Sequence, residues 1–522
     1  MKNVKFLFLR LGIILILFNS CVNDLETTPK IELTLEQLLA QDPNAVQGLL
    51  SKMYGTFALT GSGGPTTSDI NGADKGETGF LRGIINLEDF VADDMKNLWG
   101  DDGLDQLTTT SNWTSENKFF RYLYDRVYYT VPNCNNIITI LGKTTVDNKQ
   151  QYIAELKFLR SLAYFYMIDC FGKGVIVQES SSATVSLPQS SRIEMFNYVE
   201  AQLIEIQNIL PQTNGYGRAN KSVARMLLAK LYLNAEVYTG TSRYDDALTY
   251  IKLVIDEGGY QLAPSFVSLF SGDNNITAAK NEIIFPLIAD PITSQSYGNT
   301  TYLVNGNLKT STMVPADFGA VDGWGGHRAT PAWYGLFGSS AAELASSSDS
   351  RAKLFWTTGH SYVMNDYKTW TDGYPCTKFR NSNFGSTNSV PTSFSGTDFP
   401  LFRLADAYLI YAECVLRNAT GGTRSQALQY VNNIRTRANA SSISDLQLDL
   451  QFILDERARE LNFEGHRRTD LIRFGKFTGS SYIWPWKGGT VNGSSIPEAY
   501  NLYPIPSTAL IANSNLTQNP GY

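Results

Sequence analysis

The sequence predicts a mainly α-helical protein, with paired helices as a scaffold and an irregular, loop-rich region containing short strands. Stretches with apolar residues three and four positions apart predict amphipathic helices, and they lie at about 31–258 and 400–475. Between about 259 and 399 this periodicity fades and Gly, Ser, Thr, Asn and Trp accumulate, as in loop-rich structure. From about 476 to 522 prolines, among them Pro504, Pro506 and Pro520, exclude a continuous helix and predict an extended tail.

The helices are predicted from this periodicity alone. In chain order they are Glu36–Phe57, Glu116–Leu141, Gln150–Phe171, Ile193–Leu210, Ser222–Tyr238, Tyr244–Asp256, Leu401–Leu416, Arg424–Ala438 and Leu446–Phe463. A short internal repeat, which we call the internal echo, suggests their arrangement. The motif ALTYI at 247–251 recurs as ALQYV at 427–431, and each copy follows a helix and a turn containing Gly, Thr and Arg. A small Ala facing a bulky side chain is how tetratricopeptide-like helix pairs pack, although generic helix packing without a repeat also fits.

Composition and charge narrow the classes of function. The net charge is −6 and no run of Lys and Arg occurs, so the chain lacks the basic field that nucleic acid requires. Aromatic residues make up 12% of the chain, which suits both cores and recognition surfaces. Cys134, Cys170, Cys376 and Cys414 show no metal-like spacing, so we expect no zinc and no cofactor, and their disulfide state stays open.

The first residues have the pattern of an export signal. Three basic residues fall within the first ten positions, Leu11–Phe18 is an apolar stretch too short to span a bilayer, and Ser20 precedes Cys21. This junction resembles the lipobox of bacterial lipoproteins, in which the cysteine is acylated, although Phe18 replaces the usual Leu. We therefore predict a lipoprotein signal peptide at 1–20 and lipidation at Cys21, the alternative being an ordinary secretory signal with an incidental cysteine.

The C-terminal third carries a family resemblance. Its blocks are RLADAYLIYAE at 403–413, VNNIRTRA at 431–438, ILDERAREL at 453–461, EGHRRTDLIR at 464–473, YPIP at 503–506 and QNPGY at 518–522. Upstream lie LRSLAYF at 159–165, FG at 171–172 and EIIF at 282–285. In this order the blocks resemble the SusD/RagB family over nearly the whole mature chain, and the resemblance is thinnest between about 297 and 400.

The resemblance implies one domain over 21–522, with four tetratricopeptide-like helix pairs supporting the loop-rich region. It also implies a lipid-anchored, surface-exposed protein of the outer membrane. In this family such a protein binds glycans, or in some members peptides, and delivers them to a SusC-like TonB-dependent transporter. The helical repeats face that transporter.

A carbohydrate-cleaving enzyme is the third class considered. The acidic clusters Asp93, Asp94 and Asp101, Asp102, Asp105 contain enough carboxylates for a glycosidase pair, but acids that are neighbours in sequence are commoner as solvated loop faces or helix caps. No HExxH, GxSxG or P-loop pattern occurs, and the three histidines lie far apart in sequence. We expect no catalytic residues and no enzyme activity.

Two loop segments combine flat rings with polar side chains, as glycan binding requires. The first holds Asp94, Asn97 and Trp99, and the second holds Trp324 and Arg328 around two glycines that would leave Trp324 uncovered. Family members place their ligand site in corresponding stretches, and Tyr302 is a further candidate. The predicted glycan contacts are therefore Asp94, Asn97, Trp99, Tyr302, Trp324 and Arg328. For any one of these Trp residues, a buried structural role is at least as common as a ligand contact. The alternative contacts are Trp333, Trp370, Trp484 and Trp486.

Overall fold

The computed structural model describes residues 35–42, 44–181, 185–386 and 389–522. The predicted signal peptide and Cys21 lie outside these residues. The helices are α1 (Leu35–Gln41), α2 (Ala45–Ala58), α3 (Phe80–Glu88), α4 (Leu104–Thr108), α5 (Lys118–Lys143), α6 (Lys149–Cys170), α7 (Arg192–Ile206), α8 (Lys221–Leu233), α9 (Ala235–Thr239), α10 (Tyr244–Glu257), α11 (Thr300–Gly306), α12 (Pro331–Tyr334), α13 (Ala341–Ser346), α14 (Leu404–Leu416), α15 (Arg424–Arg437), α16 (Leu450–Leu461), α17 (Arg467–Arg473) and α18 (Ser507–Ala512). The strands are β1 (Met95–Asn97), β2 (Ile283–Leu287), β3 (His327–Ala329) and β4 (Phe399–Arg403).

The long helices pack side by side as one array. Helix α5, backed by α2 and α3, packs on α6, and α6 packs on α7. The array continues through α8 and α10 to α14, which packs against both α15 and α16. Because α10 and α14 are neighbours in space, the loop-rich region between them in sequence is an insertion into the helical array.

The internal echo corresponds to equivalent helix pairs. Its two copies lie in α10 and α15, and each presents a fully buried alanine, Ala247 or Ala427. The tyrosine of each copy stacks on a tyrosine of the preceding long helix. Tyr250 lies 5.6 Å from Tyr232, and Tyr430 lies 4.2 Å from Tyr408, both measured between ring centroids. The predicted pairing of helices is therefore present at α8 with α10 and at α14 with α15.

Several predicted boundaries were wrong. The first predicted helix is two helices, α1 and α2. Residues 401–403 belong to β4, and the helix begins only at Leu404. Helix α3 was not predicted, and the region called extended contains the short helix α18.

Two small antiparallel sheets organise the loop-rich region. Strand β2 pairs with β4 and so closes the insertion where it leaves and re-enters the helical array. Strand β1 pairs with β3 and joins the loop after α3 to the middle of the insertion.

The four cysteines of the described residues, Cys134, Cys170, Cys376 and Cys414, are buried free thiols. Within the described ranges, no helix is long and apolar enough to cross a membrane.

Candidate functional site

The β1–β3 ribbon brings the two predicted loops together. Asn97 pairs with His327, and the backbone N–H of Leu98 donates a hydrogen bond of 3.0 Å to the carbonyl of Gly326. Trp99 follows the end of β1 by two residues, and Trp324 precedes β3 by three. An antiparallel pair places the end of one strand beside the start of the other, so the two indoles become neighbours. Their ring centroids lie 6.3 Å apart.

The two indoles and a third ring line a cavity of about 330 Å³. Its lining is Asp74, Arg82, Trp99, Asp101, Tyr297 and Trp324, and we call it the aromatic cavity. The Tyr297 ring is 40% exposed and lies 6.1 Å from the Trp324 ring, and both indoles are half-buried. The cavity therefore presents three ring faces that are inclined to one another and reach solvent.

Charged groups complete the lining of the aromatic cavity. The Arg82 guanidinium on α3 lies 5.8 Å from the Trp99 ring centroid and 4.5 Å from that of Tyr302. Its NH2 group is 3.7 Å from a carboxylate oxygen of Glu77. Asp74 and Asp101 add carboxylates. Such a surface suits a ligand that has apolar faces and many hydrogen-bonding groups.

Of the six predicted contacts, Trp99 and Trp324 line the aromatic cavity. The other four, Asp94, Asn97, Tyr302 and Arg328, are fully buried, and the structure places them as supports below the surface. Asn97 accepts a hydrogen bond of 2.7 Å from the backbone N–H of Trp99. Tyr302 lies beneath Trp99, with ring centroids 5.9 Å apart, and donates from its hydroxyl to Asn86 at 2.7 Å. Both residues fix the indole and do not face solvent.

Arg328 and Asp94 hold the ribbon from below. The Arg328 guanidinium donates to the carbonyls of Asp372 at 3.0 Å and Gly326 at 3.1 Å, and burial lowers its pKa to about 9. Asp94 accepts from the backbone N–H of Phe463 at 3.3 Å. Burial and the neighbouring Asp93 carboxylate raise the pKa of Asp94 to about 7.

The acidic cluster at Asp93 and Asp94 is structural. Burial would raise the pKa of Asp93, but the Arg467 guanidinium lowers it below the usual value through two hydrogen bonds of 2.6 and 2.7 Å. Neither carboxylate lines the aromatic cavity, so this pair cannot flank a ligand there. In the second cluster Asp105 forms an ion pair with Lys368, and Asp101 reaches the cavity.

The alternative tryptophans lie elsewhere. Trp333, Trp370 and Trp484 are buried in the core. Trp486 is half-buried and packs edge-on against Tyr367, with ring centroids 4.8 Å apart. None of the four lines the aromatic cavity.

Sequence reasoning missed Asp74, Arg82 and Tyr297, and it considered Asp101 only as a catalytic acid. Arg82 was hidden because α3 was not predicted and every residue of that helix is buried. Tyr297 lies where the family resemblance is thinnest. The neighbouring Gly298 is a sequence signal for this position, because a glycine in a loop allows another segment of backbone to approach closely. In the structure Gly76 and Gly79 lie against Gly298.

The fold and the site define a class of protein, a scaffold of paired helices with an aromatic-lined cavity where the loop after α3 meets the inserted region. The particular family follows from comparison with known proteins. The chain is 32% identical to the "Starch-binding protein SusD" of Bacteroides thetaiotaomicron, and the match covers 96% of each chain. The family model described as "SusD family" matches residues 352–522, and the model "Starch-binding associating with outer membrane" matches 83–233. The chain belongs to the SusD family.

More distant relatives match over nearly the same length, and the solved structures among them share the fold. "SusD-like protein P38" of Formosa agariphila is 24% identical and covers 100% of this chain and 99% of its own. A SusD superfamily protein from Parabacteroides distasonis matches with a TM-score of 0.70 at 21% identity, over 94% of this chain and 100% of its own. Surface glycan-binding protein A from Bacteroides thetaiotaomicron, solved with laminarihexaose, gives a TM-score of 0.68 at 20% identity, over 91% and 99%. These matches confirm the mainly helical fold class.

Proposed function

We propose that this protein binds glycan chains at the aromatic cavity, and that a starch-type α-glucan is the first ligand to test. The observation that carries the proposal is the convergence of Trp99, Tyr297 and Trp324 around one cavity with Arg82 and two carboxylates. The starch-binding relative supports the choice of ligand, because it matches over nearly the full length of the chain.

The physical basis is the dual character of a sugar ring. Its hydroxyls exchange hydrogen bonds with water for hydrogen bonds with protein at small net gain, so apolar ring faces must supply much of the affinity. The three rings are inclined to one another, so their faces follow a curved surface. They therefore suit a sugar chain that curves better than a sugar chain that is straight. Arg82, Asp74 and Asp101 then supply donors and acceptors for the hydroxyls.

The proposal includes a location and a partner. The protein is anchored at the outer surface of the outer membrane through an acylated Cys21 and delivers its glycan to a SusC-like TonB-dependent transporter without cleaving it. The description of the family model over 83–233 and the sequence pattern before Cys21 support this placement. Asp93 and Asp94, which are tied into the scaffold, favour binding without catalysis.

The binding test uses Trp99→Ala and Trp324→Ala in calorimetric titrations with soluble starch and with laminarihexaose. By analogy with aromatic stacking under nucleic-acid bases, losing one ring costs about 1–3 kcal/mol, which is roughly a tenfold to hundredfold loss of affinity. Trp486→Ala is the matched control, because this half-buried indole lies outside the cavity. Thermal melting should change little in the two site variants.

Unchanged starch affinity in both site variants would contradict the site. A large fall in melting temperature would instead assign that indole to the scaffold, since cutting a core Trp to Ala costs about 3–5 kcal/mol of stability. Release of reducing ends from bound starch would contradict the absence of catalysis. Binding of a peptide library in place of either glycan would favour a peptide-binding role.

The anchor is tested by metabolic labelling with a fatty acid. We expect the wild-type chain to incorporate the label and to remain with the outer membrane, and Cys21→Ala to lose both, because stable anchoring requires acyl chains on that cysteine. Equal labelling and membrane retention of Cys21→Ala would refute the lipoprotein assignment.

A further inference from the structure

A second groove lies next to the aromatic cavity. It consists of two cavities of about 460 and 480 Å³ that share the lining residues Tyr216, Gly217, Arg218 and Pro286. Because the same short segment lines both cavities, the two lie on either side of it and are described together. We call the pair the Tyr216 groove.

Tyr216 presents a ring to solvent at the centre of this groove. Its side chain is 41% exposed, and among the described residues only Tyr297 of the aromatic cavity and Phe384 are comparably exposed aromatics. Burial of its hydroxyl end and the nearby Asp398 carboxylate raise the pKa of Tyr216. Asp398 itself is fully buried. The ring therefore has its hydroxyl end near Asp398, while part of its surface is open to solvent.

Unused polar side chains line one half of the groove. Asn275, Lys280 and Asn281 are partly or fully exposed. Within the described part of the chain, none of the three side chains forms a hydrogen bond or an ion pair. Two amides and an ammonium group next to an exposed ring provide the combination that a sugar chain requires.

The wall of the groove is rigid. The Arg218 guanidinium donates two hydrogen bonds to the buried Glu155 carboxylate, at 2.9 and 2.6 Å. The Tyr54 hydroxyl donates to the same carboxylate at 2.7 Å and accepts from the backbone N–H of Ala219 at 2.9 Å. The segment that carries Tyr216 is therefore positioned before any ligand arrives, which lowers the entropic cost of binding.

The groove and the aromatic cavity are adjacent. Ser294 lines the groove and Tyr297 lines the cavity. Three peptide units separate their Cα atoms by at most about 11 Å. A second connection runs through α2 and the loop after it. Leu59 lines the groove, and the side chain of the next residue, Thr60, lies 3.2 Å from the position that a Cβ on Gly298 would occupy.

We propose that the Tyr216 groove is a second contact surface for the same glycan chain that the aromatic cavity holds. Sugars beyond those in the cavity pass along the 294–297 segment, stack on Tyr216, and hydrogen-bond to Asn275, Lys280 and Asn281. This inference rests on the proposed function, and it predicts that a long glycan makes contacts that a short one does not.

The test compares maltotriose with soluble starch in calorimetric titrations. For Tyr216→Ala we expect starch affinity to fall about tenfold, at the lower end of the range for losing one stacking ring, and maltotriose affinity to stay within about twofold. Asn281→Ala, whose side chain supports no fold contact, should weaken starch binding in the same selective way. Tyr216→Phe keeps the ring and should retain starch affinity. Phe384→Ala is the matched control, because this exposed ring lines neither site.

The outcomes separate the two proposals. If the wild-type protein binds neither probe, the proposed function fails and this inference fails with it. If the wild type binds both probes and Tyr216→Ala with Asn281→Ala leave starch affinity unchanged, or lower both affinities equally, the second contact surface is overturned and the aromatic-cavity proposal stands. Loss of starch affinity in Phe384→Ala equal to that in Tyr216→Ala would also overturn it.

Discussion

Trp99 is held in place by backbone groups and by buried side chains beneath it. Its backbone N–H donates to Asn97, and its indole N–H donates to the carbonyl of Trp324 at 3.3 Å. From below, the buried ring of His327 packs at 5.3 Å between centroids. Burial lowers the pKa of His327 well below its usual value, so this support is a neutral aromatic ring.

Gly326 provides a test of this support. A Cβ on Gly326 would lie 2.5 Å from the Trp99 indole, closer than real Cβ contacts come, and the backbone there does not adopt a positive φ. Gly326→Ala should therefore displace the indole without straining the chain. We expect a glycan affinity reduced about tenfold, close to the loss for Trp99→Ala, with a small change in melting temperature.

The control for this variant is Gly100→Ala, next to Trp99 in the loop after β1, where a Cβ would meet no atom within 4 Å. It should bind as the wild type does. If Gly326→Ala also binds as the wild type, the indole is free to shift and its position is not set by the residues beneath it.

The position of the two indoles at a surface cavity was predictable, because each is a Trp in a polar, glycine-containing loop without helical periodicity. That they contact a ligand stays a prediction. Four of the predicted polar and aromatic partners are buried, and sequence could not show this. A buried Arg328 or Asp94 needs partners such as the Asp372 carbonyl and the Phe463 N–H, which come from segments far away in the chain. Arg82 meets Tyr297 and Trp324 at the cavity only because tertiary packing brings α3 next to the inserted region, so its position could not be read from the sequence either.

At the scale of elements, the long amphipathic helices were predicted best. Each buries one apolar stripe, so its period of three and four residues is visible in the sequence. Helix α3 was not predicted because all of its residues are buried, including the charged ones. It therefore has no solvent-facing polar side to produce an amphipathic pattern. The apolar run of β4 leads directly into α14, and a short apolar run does not distinguish strand from helix by periodicity.

The internal echo was informative for a physical reason. Each copy buries an alanine between two neighbouring helices and stacks a tyrosine on the preceding one, so both residues are fixed by close helix packing. The intervening residues, such as Thr249 and Gln429, lie on the outer face and differ between the copies. A repeat is therefore visible in the positions that make contact between helices.

At the scale of the whole molecule, buried ion pairs join the inserted region to the helical array. Arg351, in the loop-rich region, pairs with Glu456 and Glu460 of α16, each at 2.9 Å. Lys378, also in the loop-rich region, pairs with Glu464 just after that helix, at 2.5 Å. All of these groups are buried. The glutamates also pair with arginines outside the inserted region, as Glu456 does with Arg435, so loss of Arg351 or Lys378 removes the inserted region's share of a larger ion-pair network. The inserted region, which supplies Tyr297 and Trp324 to the aromatic cavity, should therefore unfold together with the helices.

Two spectroscopic signals can follow the two parts separately. None of the eight tryptophans lies in the long helices α5–α8, α10 or α14–α16, so tryptophan fluorescence reports the inserted and connecting segments, and far-UV circular dichroism reports the array. For the wild type we expect coincident unfolding transitions, as one cooperative unit requires. For Arg351→Leu we expect the fluorescence midpoint to fall below the dichroism midpoint, because the substitution removes the buried contacts of the inserted region with Glu456 and Glu460 and leaves the glutamates paired with arginines outside that region. Arg424→Leu, which breaks an exposed pair with Asp445, is the control and should keep the two transitions together. Separate transitions in the wild type, or coincident ones in Arg351→Leu, would show that these ion pairs do not couple the site-bearing loops to the scaffold.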